Sequence, residues 1–337
     1  MSATDIQVPA RGLSRRQALK VVAAAAAVPA VVGGVRLLGP QPSFQVWNGE
    51  ALGAAASMMI WHSNADFAQR TMTRMLTEVA RLDRIFSLHR AESELSRLNK
   101  DGSIARASHD LVTVVEEGRA MGLASDGAFD PTVQPLWDLY ATHFTSPAAD
   151  ASGPNATALD VARRLVGYQR IDIASRSIAF ETPGMSATLN GIAQGYITDW
   201  IADLLRNEGF EHVVVELGET RVLGDHPEGR PWRVGLRDQY GAADRVTDLS
   251  EGAMAVSGGY GTVFDPSGRN HHLFDPETGR SADGLLDVVV TAPRATVADA
   301  LATAVFVAGE TRAPSILANY PGAKAILTRH DGTAIRV

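Results

Sequence analysis

The chain has 337 residues, of which 45% are hydrophobic and 20% charged, a composition typical of a folded globular protein. Its formal net charge of -7 excludes the basic surface excess that phosphate-backbone binding requires, so no nucleic-acid partner is expected. Because the sequence contains no cysteine, disulfides, thiol nucleophiles and a lipid-anchored N-terminal cysteine are excluded.

The N-terminal segment has the pattern of an export signal. The sequence SRRQALK, with Arg15 and Arg16, precedes an Ala/Val-rich apolar run at residues 21–32. That run is short of the roughly 20 residues that span a bilayer, and VPA ending at Ala30 offers a small-x-small cleavage site. These features predict a twin-arginine signal; the alternative is the basic start of an amphipathic helix in a cytosolic protein.

The signal sets the expected organisation of the chain. Residues 1–30 are predicted to be the signal peptide, residues 31–48 a linker and residues 49–337 the folded domain. Transport by the twin-arginine export machinery would place this domain in the periplasm as a free, acidic protein.

The first half of the domain contains two predicted helices. The apolar stretch at residues 51–62 predicts a strand. Residues 66–86 carry an apolar stripe at helical spacing behind Asp66 as a cap, and residues 109–125 predict a second helix. The Pro-, Gly-, Ser- and Asn-rich segment 145–157 predicts a loop between two lobes.

Short strands dominate the second half. Residues 170–181 predict a hairpin, and residues 191–210 predict a helix that ends at Gly209. Four apolar segments, HVVVEL, WRVGL, AMAVSG and LLDVVVTA, predict strands, and a hairpin around Asp331 and Gly332 closes the chain. Helices and strands do not alternate regularly enough for a doubly wound sheet, so we predict an α+β fold.

An unusual polar pair lies in the apolar stretch VADALATAVF at residues 297–306. Asp299 and Thr303 are four residues apart, which places both side chains on one face of a helix, about a turn apart. A carboxylate and a hydroxyl would then point at the same spot. The alternative is structural, since Asp often caps a helix start and Thr often satisfies a nearby carbonyl.

Six short polar motifs occur in order along the chain. They are FSLHRAESELSRLN, DGAFDPTVQPL, TLNGIAQGYITD, VSGGYGTVFD, NHHLFDPETG and VADALAT, while Gly-x-Gly-x-x-Gly, Walker, Gly-x-Ser-x-Gly and His-Glu-x-x-His motifs are absent. Taken together they resemble the ApbE-type FAD:protein FMN transferases over nearly the whole mature chain. The resemblance implies an α+β, ApbE-like (T-fold-like) two-lobed domain with mixed or antiparallel sheets and flanking helices.

The resemblance also implies a reaction and a metal. FAD is split at its pyrophosphate, FMN is attached through a phosphoester to a Ser or Thr hydroxyl of an acceptor protein, and AMP leaves. Asp299, Thr303 and the backbone carbonyl of Gly191 correspond to the family's metal ligands, with Ala302 beside the metal. Such oxygen ligands suit Mg²⁺, which would offset the charge of the pyrophosphate.

The remaining site residues are likewise implied by the resemblance. His272 falls where the family keeps its proposed general base, a role that an imidazole suits at neutral pH; the alternative for a lone turn histidine is a structural one. Ser257 and Gly258 form a turn whose amides could approach phosphate. The candidate cofactor-binding residues are Leu52, His89, Ala128, Phe129, Asp130, Thr188, Gln194 and Leu273.

The sequence departs from the family pattern at several of these positions. Thr188 replaces an acid and Gln194 replaces a lysine, so two charges near the cofactor are lost together. If they formed a pair, their joint replacement by neutral polar groups costs little. His89 replaces a common tyrosine, and ELGET at residues 216–220 replaces a commoner Gly-Gly-Asp.

The acceptor is expected to be another protein. The family's acceptors carry Asp-Gly-x-Ser/Thr-Gly-Ala-Thr/Ser, and this chain has only DGSIARAS and DGTAIRV, which do not fit. A membrane redox subunit facing the periplasm is the natural class of acceptor. Two alternatives remain: a FAD pyrophosphatase that releases FMN and AMP, and a non-catalytic flavin carrier.

Overall fold

The computed structural model describes residues 41–51, 54–236 and 245–337. The predicted signal peptide, residues 31–40 of the predicted linker, and Leu52 lie outside the described residues. In the described part of the chain, no helix is both long and apolar enough to cross a membrane.

The described residues form seven α-helices and thirteen β-strands. The helices are α1 (Ala65–Phe86), α2 (Glu94–Asp101), α3 (His109–Ala124), α4 (Gln134–Phe144), α5 (Ala156–Arg163), α6 (Ala193–Asn207) and α7 (Ala295–Leu317). The strands are β1 (Ser43–Ala51), β2 (Ala54–His62), β3 (Ser103–Ile104), β4 (Ile171–Ala174), β5 (Ser177–Phe180), β6 (Val213–Glu216), β7 (Thr220–Leu223), β8 (Trp232–Leu236), β9 (Arg245–Leu249), β10 (Gly252–Gly258), β11 (Asp287–Ala292), β12 (Lys324–Thr328) and β13 (Ala334–Arg336).

An eight-stranded antiparallel sheet forms the centre of the protein. Its strand order is β1-β2-β6-β7-β10-β11-β12-β13. The central strands β6 and β7 are buried at every position, which is expected of strands covered on both faces. Helices α1, α6 and α7 contribute to the main hydrophobic core. Trp232, Val234 and Leu236 of β8 belong to a second, smaller apolar cluster. The predicted α+β class is confirmed.

Helix α1 shows how the sequence specifies these elements. Its apolar stripe is buried at Met72, Met75, Val79 and Leu82. Asn64 caps the helix, because its side chain accepts a hydrogen bond from the Phe67 N–H at 2.9 Å. The predicted cap, Asp66, lies instead in the first turn, where its charge complements the helix dipole.

Two boundary predictions were wrong. Residues 43–48, expected to be linker, belong to β1, which pairs with β2 from Ser43 to Ala51. The loop at residues 145–157 joins α4 to α5, which pack together through Leu136, Tyr140 and Leu159, so it does not separate two cores. In both places, polar and turn-forming residues indicate a segment at the protein surface. They do not indicate a boundary between domains.

Candidate active site

Helices α6 and α7 approach each other closely at their N-terminal turns. A Cβ placed on Gly195 in α6 would lie 2.3 Å from the carbonyl oxygen of Ala295 in α7. Only a residue without a side chain permits this approach. The close contact brings the first turns of both helices to one place.

Asp299 of α7 lies at this contact. It is buried, and its Oδ2 accepts a hydrogen bond from the Gly195 N–H at 3.0 Å. The residue before α6 is Ile192, which cannot cap a helix, so Asp299 satisfies one of the otherwise unpaired N–H groups of α6. The structural role suggested by the sequence is therefore present, but the helix that Asp299 caps is α6.

Thr303 and Gly191 lie beside each other, as the ligand prediction requires. A Cβ placed on Gly191 would be 3.0 Å from Thr303 Oγ1. Ser257 at the end of β10 adds a third oxygen, with its Oγ 3.3 Å from Thr303 Oγ1. Ala302 is fully buried in the main core.

The donors gathered here fit a hard cation. A carboxylate, hydroxyls and the backbone at Gly191 offer oxygen atoms only, which is the chemistry that Mg²⁺ prefers. Among the described residues, no group of three or more His, Cys, Asp or Glu side chains forms a metal site. A cation here would depend on Asp299 for protein charge and on hydroxyl, backbone and substrate oxygens for the rest of its shell.

A cleft opens over these residues. Its empty space, including the part open to solvent, is about 1250 Å³. Of the predicted site residues, His89, Gln194, His272, Asp299 and Thr303 line it. Ser257 and Gly258, expected from the sequence to approach phosphate, line it too, together with Tyr260, Asn190, Asp83, Glu216 and Glu219.

His272 is held at the base of a hairpin. Its backbone N–H donates to the Thr262 carbonyl at 3.1 Å, and its Nδ1 lies 3.0 Å from the same oxygen. In the neutral ring this contact places the proton on Nδ1 and the lone pair on Nε2. His272 is 8% exposed and lines the cleft. With the proton on Nδ1, the ring has the tautomer that a base acting through Nε2 needs.

Asp265 organises the turn of this hairpin. Its carboxylate accepts hydrogen bonds from the backbone N–H groups of Ser267, Gly268 and Asn270 and from the Ser267 hydroxyl and the Asn270 amide. Burial alone would raise the pKa of Asp265, but the hydrogen bonds from Ser267 and Asn270 outweigh it and lower that pKa below its ordinary value. The ionised carboxylate thus holds the turn that precedes His272.

The GAFDP segment is not part of the lining of this cleft. Asp130 is buried and accepts hydrogen bonds from the Thr132 N–H at 2.7 Å, the Thr132 hydroxyl at 2.6 Å and the Tyr168 N–H at 2.8 Å. Burial raises the pKa of Asp130 despite these bonds. Its side chain therefore braces the loop and does not line the cleft described here.

The neighbours of Asp130 are also buried. Ala128 and Leu273 lie in the interior and are not part of the cleft lining in the described structure. Phe129 is buried too, but its ring contacts the position of Gly191, since a Cβ there would be 3.2 Å from Phe129 Cε2. Phe129 thus supports the Gly191 turn from behind.

The two uncharged replacements lie in different settings. Gln194 lines the cleft and packs over Gly218, where a Cβ would be 2.5 Å from Gln194 Nε2. Thr188 stabilises the turn before α6, because its hydroxyl accepts the Asn190 N–H at 3.3 Å. Only Gln194 is in a position to face a ligand in the cleft.

Sequence reasoning missed several lining residues. Glu216 and Glu219 line the cleft and come from the ELGET segment. The only sequence signal for them was that this segment departs from the family pattern. The Ser57 hydroxyl donates a hydrogen bond to Glu216 Oε2 at 3.0 Å. Asp83 lies outside all six motifs, whereas Tyr260 lies within VSGGYGTVFD but was not singled out. They reach the cleft from the end of α1 and the turn after β10.

Comparison with known proteins assigns the family. The family model described as ApbE family matches residues 52–327, and the chain belongs to this family. It is 32% identical to a FAD:protein FMN transferase from Vibrio cholerae over 274 residues, covering 78% of this chain and 80% of that protein. A FAD:protein FMN transferase from Salmonella typhimurium is 27% identical over 288 residues, with 82% of each chain covered.

Solved structures agree with this assignment. The flavin transferase ApbE from Vibrio cholerae superposes with a TM-score of 0.73 at 25% identity, covering 88% of this chain and 97% of that one. The ApbE protein from Thermotoga maritima superposes with a TM-score of 0.75 at 27% identity, covering 87% and 97%. The shared architecture therefore extends over nearly the whole of the described chain.

Proposed function

We propose that this chain is a Mg²⁺-dependent FAD:protein FMN transferase that acts in the periplasm. It transfers FMN from FAD to a Ser or Thr hydroxyl of an acceptor protein and releases AMP. The observation that carries the proposal is that Asp299, Thr303 and His272 line one cleft, and that Gly191, which is distant from them in sequence, lies against Thr303. The transferases of Vibrio cholerae and Salmonella typhimurium support the same reaction.

Each residue has a defined task in this reaction. Asp299, Thr303 and Gly191 would hold Mg²⁺, which when bound offsets the negative charge of the pyrophosphate. The Nε2 atom of His272 accepts the proton of the acceptor hydroxyl as its oxygen forms a bond to the FMN phosphorus. The bond from that phosphorus to the bridging oxygen breaks, and AMP leaves with that oxygen.

Export rests on the sequence alone. The Arg15 and Arg16 pair and the short apolar run support transport by the twin-arginine machinery, and a periplasm-facing membrane redox subunit is the proposed acceptor class. Replacement of both arginines by lysine should keep the protein in the cytoplasm, as judged by cell fractionation. Normal appearance of the double variant in the periplasm would contradict this part of the proposal.

One incubation tests the activity. The purified protein is mixed with FAD and Mg²⁺, with and without a protein that carries the family's acceptor motif, and products are identified by mass spectrometry. We expect FMN bound to the acceptor and AMP in equal amounts, with no product when EDTA is added. Free FMN with AMP in both samples would indicate a pyrophosphatase, and unchanged FAD would indicate a flavin carrier.

A further inference from the structure

Helices α6 and α7 cap each other. Asp199 of α6 accepts hydrogen bonds from the Ala295 N–H at 2.8 Å, the Thr296 N–H at 2.9 Å and the Thr296 hydroxyl at 2.7 Å. In return, Asp299 of α7 accepts the Gly195 N–H. Each helix thus supplies the carboxylate that satisfies the first turn of the other.

Neither helix has a local cap to replace this arrangement. Within the described structure, the side chain of Arg294, which precedes α7, makes no capping hydrogen bond, and Ile192 precedes α6. Asp199 is 5% exposed and is held by two backbone N–H groups and one hydroxyl of α7. It is therefore the principal polar anchor of the α7 N-terminus.

The anchor determines where the proposed metal ligands lie. Ala295, Asp299 and Thr303 follow one another at intervals of four residues, so they lie along one face of α7. Sliding an α-helix by one residue moves its side chains by about 1.5 Å and turns them by about 100°. Fixing Ala295 therefore fixes the direction in which Asp299 and Thr303 present their oxygens.

We propose that Asp199 is a positioning residue that orients Asp299 and Thr303 toward the cation through the N-terminus of α7. The inference rests on the proposed function, because it requires that these two residues bind a metal. Asp199 does not line the cleft, so its effect on metal affinity would be indirect.

Three variants of the full chain separate positioning from general stability. Asp199→Asn removes the charge and part of the acceptor capacity of the anchor. Thr296→Val removes one donor and leaves the Asp199 charge in place. The matched control is Asp110→Asn, because Asp110 is also buried and accepts from Arg81 at 2.7 Å and from the Tyr196 hydroxyl of α6 at 2.8 Å, but makes no described hydrogen bond to α7.

The readout is binding of Mn²⁺, a hard cation that substitutes for Mg²⁺ at oxygen sites. Loss of the free-ion electron paramagnetic resonance signal gives the Kd, with FAD absent and present, and thermal unfolding of each variant is measured in parallel. We expect Asp199→Asn to raise the Mn²⁺ Kd by about tenfold or more, the usual effect of losing an outer-shell partner. Thr296→Val should give a smaller rise, and Asp110→Asn should lower the melting temperature with the Kd unchanged.

Two results would overturn the inference alone. One is a Kd for Asp199→Asn equal to that of the wild type; the other is an equal rise for Asp110→Asn, which would attribute the effect to lost stability. Failure of the wild-type chain to bind Mn²⁺, both without and with FAD, would overturn the proposed metal site and this inference together. The wild-type titration thus distinguishes failure of the proposed function from failure of the positioning role.

Discussion

The carboxylate of Asp299 accepts the Gly195 N–H at 3.0 Å, so a proposed metal ligand of α7 is also the N-terminal cap of α6. The two roles depend on different properties of the side chain. Capping needs an acceptor oxygen, whereas strong cation binding needs the negative charge. Substitutions at this position should therefore separate stability from metal affinity.

Asp299→Asn and Asp299→Ala make this separation. Asn is as good a cap as Asp, so Asp299→Asn should unfold near the wild-type urea concentration while losing most Mn²⁺ affinity. Asp299→Ala should lose the affinity and, in addition, about 0.5–2 kcal/mol of unfolding free energy. Wild-type Mn²⁺ binding by Asp299→Asn would contradict the ligand role.

Gly195→Ala tests the close approach of the two helices. The added Cβ would lie 2.3 Å from the Ala295 carbonyl oxygen, and backbone must move to relieve this clash. We expect a loss of about 1–3 kcal/mol or more in unfolding free energy, measured by urea denaturation. The control is Gly284→Ala, where a Cβ meets no atom of the described structure within 4 Å. Equal stability of the two variants would contradict the prediction.

His272→Ala tests the general base. Because the ring lines the cleft and its Nδ1 contacts a carbonyl, its removal should slow FMN transfer by about 10²–10⁴-fold while FAD binding is retained. Single-turnover transfer to an acceptor protein measures the rate, and flavin fluorescence measures binding. Added imidazole should restore part of the rate. Transfer at the wild-type rate would exclude a catalytic role for His272.

The lowered pKa of Asp265 should make the free energy of unfolding depend on pH. Its pKa is lowered in the folded protein, so its stabilising contribution is present above the ordinary Asp pKa of about 3.9 and is lost as the pH falls through the lower, folded-state value. Asp265→Asn should therefore be less stable than the wild type at pH 7, and the difference should shrink below about pH 4. Urea midpoints at several pH values measure this. A difference that is independent of pH would contradict the role of the charge.

Much of the fold could be predicted from the sequence, where local patterns were strong. Helix α1 carries a long apolar stripe, and the terminal hairpin carries an Asp-Gly turn, so both were expected close to their observed positions. Helices α2 and α5 have only eight residues each, too few for a clear period. Strand β1 is exposed at the sheet edge and lacks a continuous apolar run, so it was taken for linker.

The sequence predicted some residues of the site and missed others, depending on whether their contacts are local. Asp130 precedes Thr132 in an Asp-Pro-Thr turn, and its hydrogen bond to the Thr132 N–H is a local pattern that could have indicated a structural role. Asp199 caps a helix that begins 96 residues later, and no spacing rule reports such a contact. Side chains that meet only through tertiary packing are visible in the structure alone.

The central claim is that Asp299, Thr303 and Gly191 together hold the cation beside His272. The most direct measurement is a crystal structure of the protein with FAD and Mn²⁺, in which anomalous scattering locates the metal. The account predicts a peak within about 2.0–2.6 Å of oxygen atoms of Asp299 and Thr303, with the FAD phosphates completing the shell. A metal peak elsewhere, with none within bonding distance of Asp299, would contradict it.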